Sequence, residues 1–171
     1  MTKIIKNLLT LKVLSVRDVT IKYVNWFLDK DVVRFSNNQL KKFTLAGQKR
    51  YVNKCLKDKN LVLFGIFYEK KHIGNICLDG LTSPHGVGEI TYVIGDKTFW
   101  GKGIGSLVIS KIILIAKKKY KLNKLIAGVA NKNFGSIKIL EKNKFLLEGV
   151  KKKHLVFRNN LYNQLDFGLL L

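Results

Sequence analysis

At 171 residues and 47% hydrophobic content, the chain has material for one domain with a substantial core, spanning 1-171, and too little for two. Its formal charge of +21 invites a nucleic-acid partner, but only Arg17, Arg34, Arg50 and Arg158 are arginine, and lysine clusters such as Lys117 to Lys119 lack interleaved aromatics; solvated surface with a general attraction to anions is expected, and no specific nucleic acid. Lys111 breaks the apolar run from Ile104 to Ala116, and Lys3, Lys6 and Lys12 break up the N-terminus, which argues against a membrane span or a signal peptide and for a cytoplasmic protein.

In chain order, Leu8 to Val16 alternates loosely and predicts a first strand. Thr20 to Leu28 sets Ile21, Val24 and Leu28 on one helical face, and Thr44 to Leu56 repeats that spacing with Leu45, Tyr51, Val52 and Cys55. Between them Asp29 to Phe43 is polar and irregular. Such loops carry specificity, so Arg34, Phe35 and Ser36 are candidate substrate contacts, beside the plainer reading of a loop anchored by Phe35. Leu61 to Tyr68 and His72 to Leu78 read as strands joined by a hairpin at Glu69-Lys70-Lys71, and Ser83-Pro84-His85-Gly86 turns the chain into a strand over Val87 to Gly95. A helix over Ile104 to Tyr120, a strand over Leu125 to Ala130, a helix over Phe134 to Asn143, a strand start over Phe145 to Val150 and a last strand over Gln164 to Leu171 follow. The order β-α-α-β-β-β-α-β-α-β-β neither alternates nor segregates, and it predicts an α+β fold with a mixed sheet. Cys55 and Cys77 have no second pair, and His72, His85 and His154 show no ligand spacing, so neither a disulfide nor a metal is expected.

The most informative stretch is Phe99-Trp100-Gly101-Lys102-Gly103-Ile104-Gly105-Ser106, between the strand that ends at Gly95 and an almost wholly apolar helix. Glycines at alternate positions allow a sharp turn and close approach of the backbone to a ligand. The free amides and positive dipole end of the helix face the same spot, which suits a diphosphate. A triphosphate P-loop requires Gly-x-x-x-x-Gly-Lys-Ser/Thr, which is absent. A dinucleotide loop requires an acidic residue at the end of the next strand, where Leu125-Ile126-Ala127-Gly128-Val129 has none.

A third reading rests on resemblance. Trp100 to Gly105 resembles the pyrophosphate-binding signature of the GNAT acetyltransferases, Gln/Arg-x-x-Gly-x-Gly/Ala, in the Trp-Gly-Lys-Gly form of the subgroup similar to ribosomal-protein N-terminal acetyltransferases. Asn133-Phe134-Gly135-Ser136-Ile137-Lys138-Ile139-Leu140-Glu141-Lys142-Asn143-Lys144-Phe145 resembles the family's second cofactor motif, Asn-x-x-Ser-x-x-x-x-Glu-Lys-x-Gly-Phe, although Asn133 also reads as a plain helix cap. The resemblance runs from about Leu11 to the end.

The resemblance implies a single-domain GNAT fold, a mixed central sheet splayed between the parallel strands Glu89 to Gly95 and Leu125 to Ala130, with helices on both faces. It also implies acetyl-CoA in the cleft between those strands. The pantetheine arm would pair with the strand edge at Tyr92, Val93 and Ile94, and the diphosphate would sit on the amides from Trp100 through Gly101, Lys102, Gly103, Ile104, Gly105 and Ser106. Asn133 and Ser136 would hold the far wall, and Lys142 would reach the adenosine phosphate. A neutral amine would attack the thioester directly, with Glu89 as the base, often through water, and Asp79 as second choice. Three positions depart from the family: Leu140 stands where many members have a tyrosine that protonates the thiolate, leaving Ser136, a water or nothing; Lys144 replaces a glycine; Trp100 replaces Gln or Arg. Tyr23-Val24-Asn25-Trp26-Phe27-Leu28-Asp29, His72-Ile73-Gly74-Asn75-Ile76 and Ile94-Gly95-Asp96-Lys97 look like members associated with surface-polysaccharide biosynthesis, so a nucleotide-linked amino sugar is the preferred acceptor. The alternatives are the N-terminus of a ribosomal or other protein, and a non-catalytic acyl-CoA-binding module. A homodimer is left open.

Overall fold

Thr20 and Thr44 each end an extended segment and start a helix. Thr20 Oγ1 accepts the Tyr23 N–H at 3.2 Å and Thr44 Oγ1 accepts the Gly47 N–H at 3.0 Å, satisfying amides that a first helical turn leaves free. The helices they cap are α1 (Ile21–Trp26) and α2 (Leu45–Lys57) in this computed structural model, which describes residues 8–171. Lys3 and Lys6, part of the argument against a signal peptide, lie outside the described residues.

Seven strands form one mixed sheet: β1 (Leu9–Val13), β2 (Leu61–Tyr68), β3 (Lys71–Asp79), β4 (Val87–Ile94), β5 (Lys124–Ala130), β6 (Leu146–Phe157) and β7 (Asn160–Leu170), in the spatial order β1-β2-β3-β4-β5-β7-β6. α3 (Ile104–Lys118) connects β4 to β5, and α4 (Phe134–Lys142) follows β5. Neighbouring strands run antiparallel except β4 and β5, which are parallel and pair only through Val87↔Lys124, Gly88↔Leu125 and Glu89↔Ile126. Beyond Glu89, β4 keeps its partner β3 and β5 keeps its partner β7, so the sheet opens between them.

Alternation along β2 shows how the helices are placed. Val62, Phe64 and Ile66 belong to the larger core with Val108, Ile109 and Ile112 of α3 and Leu140 of α4. Leu63 belongs to a second core with Tyr23 and Trp26 of α1 and Val52 and Cys55 of α2. Successive side chains of a strand point to opposite faces, so α1 and α2 cover one face and α3 and α4 the other.

Three boundaries differ from the sequence expectation. β1 stops at Val13, and Val16–Asp18 is a 3-10 turn held by Asp18, whose carboxylate accepts from the Ser15 N–H and hydroxyl. β6 runs on to Phe157 and β7 begins at Asn160, ahead of the expected Gln164. Most of β6 is exposed, so no apolar alternation marks it, and backbone pairing with β7 carries the strand. Both hairpins turn on two residues of positive φ, Glu69 and Lys70 (48° and 67°) and Arg158 and Asn159 (49° and 62°), the twist that two-residue hairpins need without the usual glycine. No helix among the described residues is long and apolar enough to cross a membrane.

Candidate active site

The opening between β4 and β5 leads into a cavity of about 1070 Å³. Tyr92, Val93 and Ile94 line it along the edge of β4 that β5 has left. At its head, Trp100 donates its indole Nε1–H to the Ile94 carbonyl at 2.8 Å, pinning the glycine loop to the end of β4. The tryptophan that stands in place of Gln or Arg thus holds the loop in position.

Gly101 and Gly103 have φ of +72° and +76°, and a Cβ built on either meets nothing within 4 Å. This left-handed conformation favours glycine, and the space beside both residues is open. The first bond of α3 runs from the Leu107 N–H to the Gly103 carbonyl at 3.2 Å, so the amides of Ile104, Gly105 and Ser106 lie ahead of it. Gly105 has another constraint: a Cβ there would stand 2.5 Å from Ile139 Cδ1, so this glycine lets α3 and α4 pack closely.

The far wall is the start of α4. Asn133 Oδ1 accepts the Ser136 N–H at 3.3 Å as the helix cap, and Asn133, Gly135, Ser136, Lys138 and Ile139 all line the cavity. The Tyr92 hydroxyl is closed to solvent and has no hydrogen-bond partner. Burial raises its pKa, the Ser136 hydroxyl beside it acting in the opposite sense.

The other end of the cavity lies on the α1–α2 side. Arg34, Phe35 and Ser36 line it, as do Lys41, Lys42, Phe27 and Phe43, whose rings stack at 4.8 Å. Phe35 packs edge-on against Phe157 and Tyr162 of the β6–β7 hairpin, and Arg158 Nη2 donates to the Lys30 carbonyl at 2.8 Å, so the hairpin tip braces this loop. Below it the Tyr23 hydroxyl donates to Gln48 Oε1 at 3.0 Å, and His72 Nε2 stands 2.8 Å from Asn75 Oδ1. Gln48 and Asn75 are buried and carry polar groups to the cavity wall. Cys77 also lines the cavity, but burial pushes its thiol up to about 12, so it remains a neutral thiol near pH 7 and is no activated nucleophile.

A sequence profile of the acetyltransferase (GNAT) domain matches residues 9–146. The chain belongs to the GNAT acetyltransferase family. It is therefore an N-acetyltransferase with acetyl-CoA as cosubstrate. It is 27% identical over 168 residues to an uncharacterised N-acetyltransferase, p20, of Bacillus licheniformis, covering 95% of this chain and 92% of that one. Its fold is that of a spermidine N-acetyltransferase from Vibrio cholerae solved with CoA and spermine (TM-score 0.85, 18% identity, 96% of each chain). It is equally that of the ribosomal-protein α-N-acetyltransferase RimL solved with coenzyme A (TM-score 0.85, 15% identity, 98% of this chain and 96% of that one).

In this GNAT acetyltransferase the expected cofactor residues Tyr92, Val93, Ile94, Trp100, Gly101, Gly103, Ile104, Gly105, Asn133 and Ser136 gather around one cavity, as do Arg34, Phe35 and Ser36. Five other expected residues stand off the cavity wall. Lys142 sits exposed in the last turn of α4, at the end away from the cavity, and Lys138, one turn earlier, lines the wall instead. Lys102 is off the wall, with Nζ 5.9 Å from the centre of the Phe99 ring. The Ser106 side chain is off the wall too, its hydroxyl accepting from Asn143 Nδ2 at 3.0 Å. Glu89 and Asp79 face each other across β3 and β4 outside the cavity. Asp79 is occupied as an acceptor for the Asn60 amide at 2.6 Å and the Gly80 N–H. Glu89 is exposed, on the same face of β4 as Thr91, which does reach the wall.

Sequence reasoning missed Gln48, Asn75, Lys138 and the side chain of Tyr92. Gln48 had a signal, since it interrupts the stripe of Leu45, Val52 and Cys55 on α2. Leu140, where the family's tyrosine would be, is fully buried in the core and offers no proton.

Proposed function

We propose that this enzyme acetylates a primary amine carried by an anionic molecule, with a nucleotide-linked amino sugar as the acceptor class. The observation that carries this reading is the charge of the acceptor end. Arg34, Lys41 and Lys42 line it, and among the described residues Asp31 is the single carboxylate on the wall, already paired with Lys97 at 3.0 Å. Phosphates match that rim, the stacked Phe27 and Phe43 offer an apolar surface to a ring, and the amides of Gln48 and Asn75 suit sugar hydroxyls. A polyamine brings several positive charges and meets the wrong sign. A basic protein tail meets the same obstacle.

The residues present fit the cosubstrate. Open space beside two positive-φ glycines, free amides at the start of α3 and an unpaired β4 edge are what a diphosphate and an amide-bearing arm require. Lys138 supplies a cation on the opposite wall. When bound, acetyl-CoA supplies an acetyl group already activated as a thioester. The chain positions the amine against it and offers a backbone amide of β4 to the carbonyl oxygen. Glu89 is the proposed base, and since its carboxylate stands outside the wall it would reach the amine only through water.

The test is thiol release from acetyl-CoA with three amines: a nucleoside-diphosphate amino sugar, spermidine and a peptide with a free N-terminus. The sugar nucleotide should give the highest kcat/KM, and Arg34→Ala should raise its KM with little change in the KM of acetyl-CoA. Spermidine as the best of the three would overturn the acceptor assignment.

A further inference from the structure

We infer that Tyr92 is the general acid of this acetyltransferase, its phenol giving a proton to the sulfur that leaves when the acetyl group is transferred. The inference rests on the reading of the β4–β5 cleft as the acetyl-CoA site. A tyrosine hydroxyl shut away from water normally finds a partner. Here Tyr92 Oη makes no well-formed hydrogen bond, the Ser136 hydroxyl being its one polar neighbour, although the side chain belongs to the cavity wall. A donor left unsatisfied at a ligand cavity is matched to a ligand acceptor. Tyr92 lies three residues beyond Glu89, the last residue of β4 that pairs with β5, and therefore where the strands have parted. Ser136, in the first turn of α4, sets its hydroxyl beside the phenol.

The chemistry fits a phenol better than the other groups at hand. A phenol carries an O–H that can hydrogen-bond a departing sulfur and pass it a proton as charge develops there. Burial raises Tyr92 above its usual value, so the proton is held throughout the neutral range. The Cys77 thiol lies on the other face of the sheet, toward the second core, and Leu140 has no proton to give. As the amine nitrogen forms its bond to the acetyl carbon and the carbon–sulfur bond breaks, Tyr92 Oη protonates the sulfur. The amine's own proton passes into water with Glu89 as the base, and the Ser136 hydroxyl returns a proton from water to the phenolate before the next turnover, so Glu89 and Tyr92 end the cycle as they began. The acid missing from α4 is thereby supplied from β4.

The experiment compares wild type and Tyr92→Phe for binding of CoA and of desulfo-CoA, which lacks the sulfur, by calorimetry at pH 8. Wild type should bind CoA more tightly than desulfo-CoA. Tyr92→Phe should lose that preference while its affinity for desulfo-CoA stays within about twofold, and kcat should fall by about 100-fold. Equal weakening of both ligands would make Tyr92 a pantetheine-positioning residue and overturn the inference, as would an unchanged kcat. Failure of wild type to bind either ligand would instead remove the cleft assignment itself.

Discussion

A valine at position 103 would have to adopt a left-handed backbone, at a cost of about 1–2 kcal/mol, and would push its methyl groups into the open space where the diphosphate is proposed to sit. Gly103→Val should therefore melt slightly lower than wild type and bind CoA at least about 10-fold more weakly, both readable from thermal melts with and without ligand. Gly105→Val should behave differently. Its side chain would strike Ile139, so the main effect is a loss of stability of about 1–3 kcal/mol from overpacking between α3 and α4. The glycine spacing was legible in the sequence, but the division of labour between these glycines was not, because φ and interhelical distance come from tertiary packing. The same holds for Lys142 and Lys138: their order is visible, yet which one faces the cleft depends on how Leu140 and Ile139 seat α4 on the core. Glu89→Gln tests the base. Turnover should drop by roughly 100-fold near neutral pH with acetyl-CoA affinity preserved, and the deficit should shrink as pH rises and more of the amine arrives neutral.

At the scale of elements, Asp96 ties the end of β4 to two other segments. Its carboxylate accepts from Lys22 of α1 at 2.8 Å, Lys71 of β3 at 3.0 Å and the Thr98 hydroxyl at 2.6 Å. Burial alone would raise its pKa, but the hydrogen bonds from Lys22, Thr98 and Lys71 outweigh it and hold the carboxyl well below the usual range. The unfolded value is about 3.9, so the stabilisation is complete above about pH 5 and drains away as pH falls toward the folded value. Asp96→Asn should cost about 1–3 kcal/mol in urea melts at pH 7, and the gap to wild type should close as the pH is taken below about 4. A gap constant from pH 7 to pH 3 would show that Asp96 acts through packing alone. Elements with strong apolar periodicity, such as α3 and β2, were readable from sequence to within a residue or two. The β6–β7 hairpin was not, since a strand with exposed faces leaves no pattern and its two-residue turn uses Arg158 and Asn159 in place of glycine.

At the scale of the whole molecule, the order of elements and the α+β mixed sheet follow the sequence reading, and the splay between β4 and β5 turns that order into a site. One cavity runs from the glycine loop to the Arg34 loop, with Thr91 and Tyr92 on its wall between them, and in the proposed function acetyl donor and acceptor enter it from opposite ends. With a net charge of +21, both anionic ligands should be drawn in by long-range attraction, and their association rates should fall steeply between 50 mM and 500 mM salt, whereas that of a neutral amine should hardly change. The most direct test of a single shared cavity is calorimetric binding of a bisubstrate conjugate, CoA joined through an acetyl bridge to the amine of a nucleotide-linked sugar. Tethering makes the second contact intramolecular, so the conjugate should bind at least about 10-fold more tightly than CoA, and Arg34→Ala should remove most of that gain. A conjugate that binds no better than CoA, or that is surpassed by the spermidine conjugate, would contradict the account.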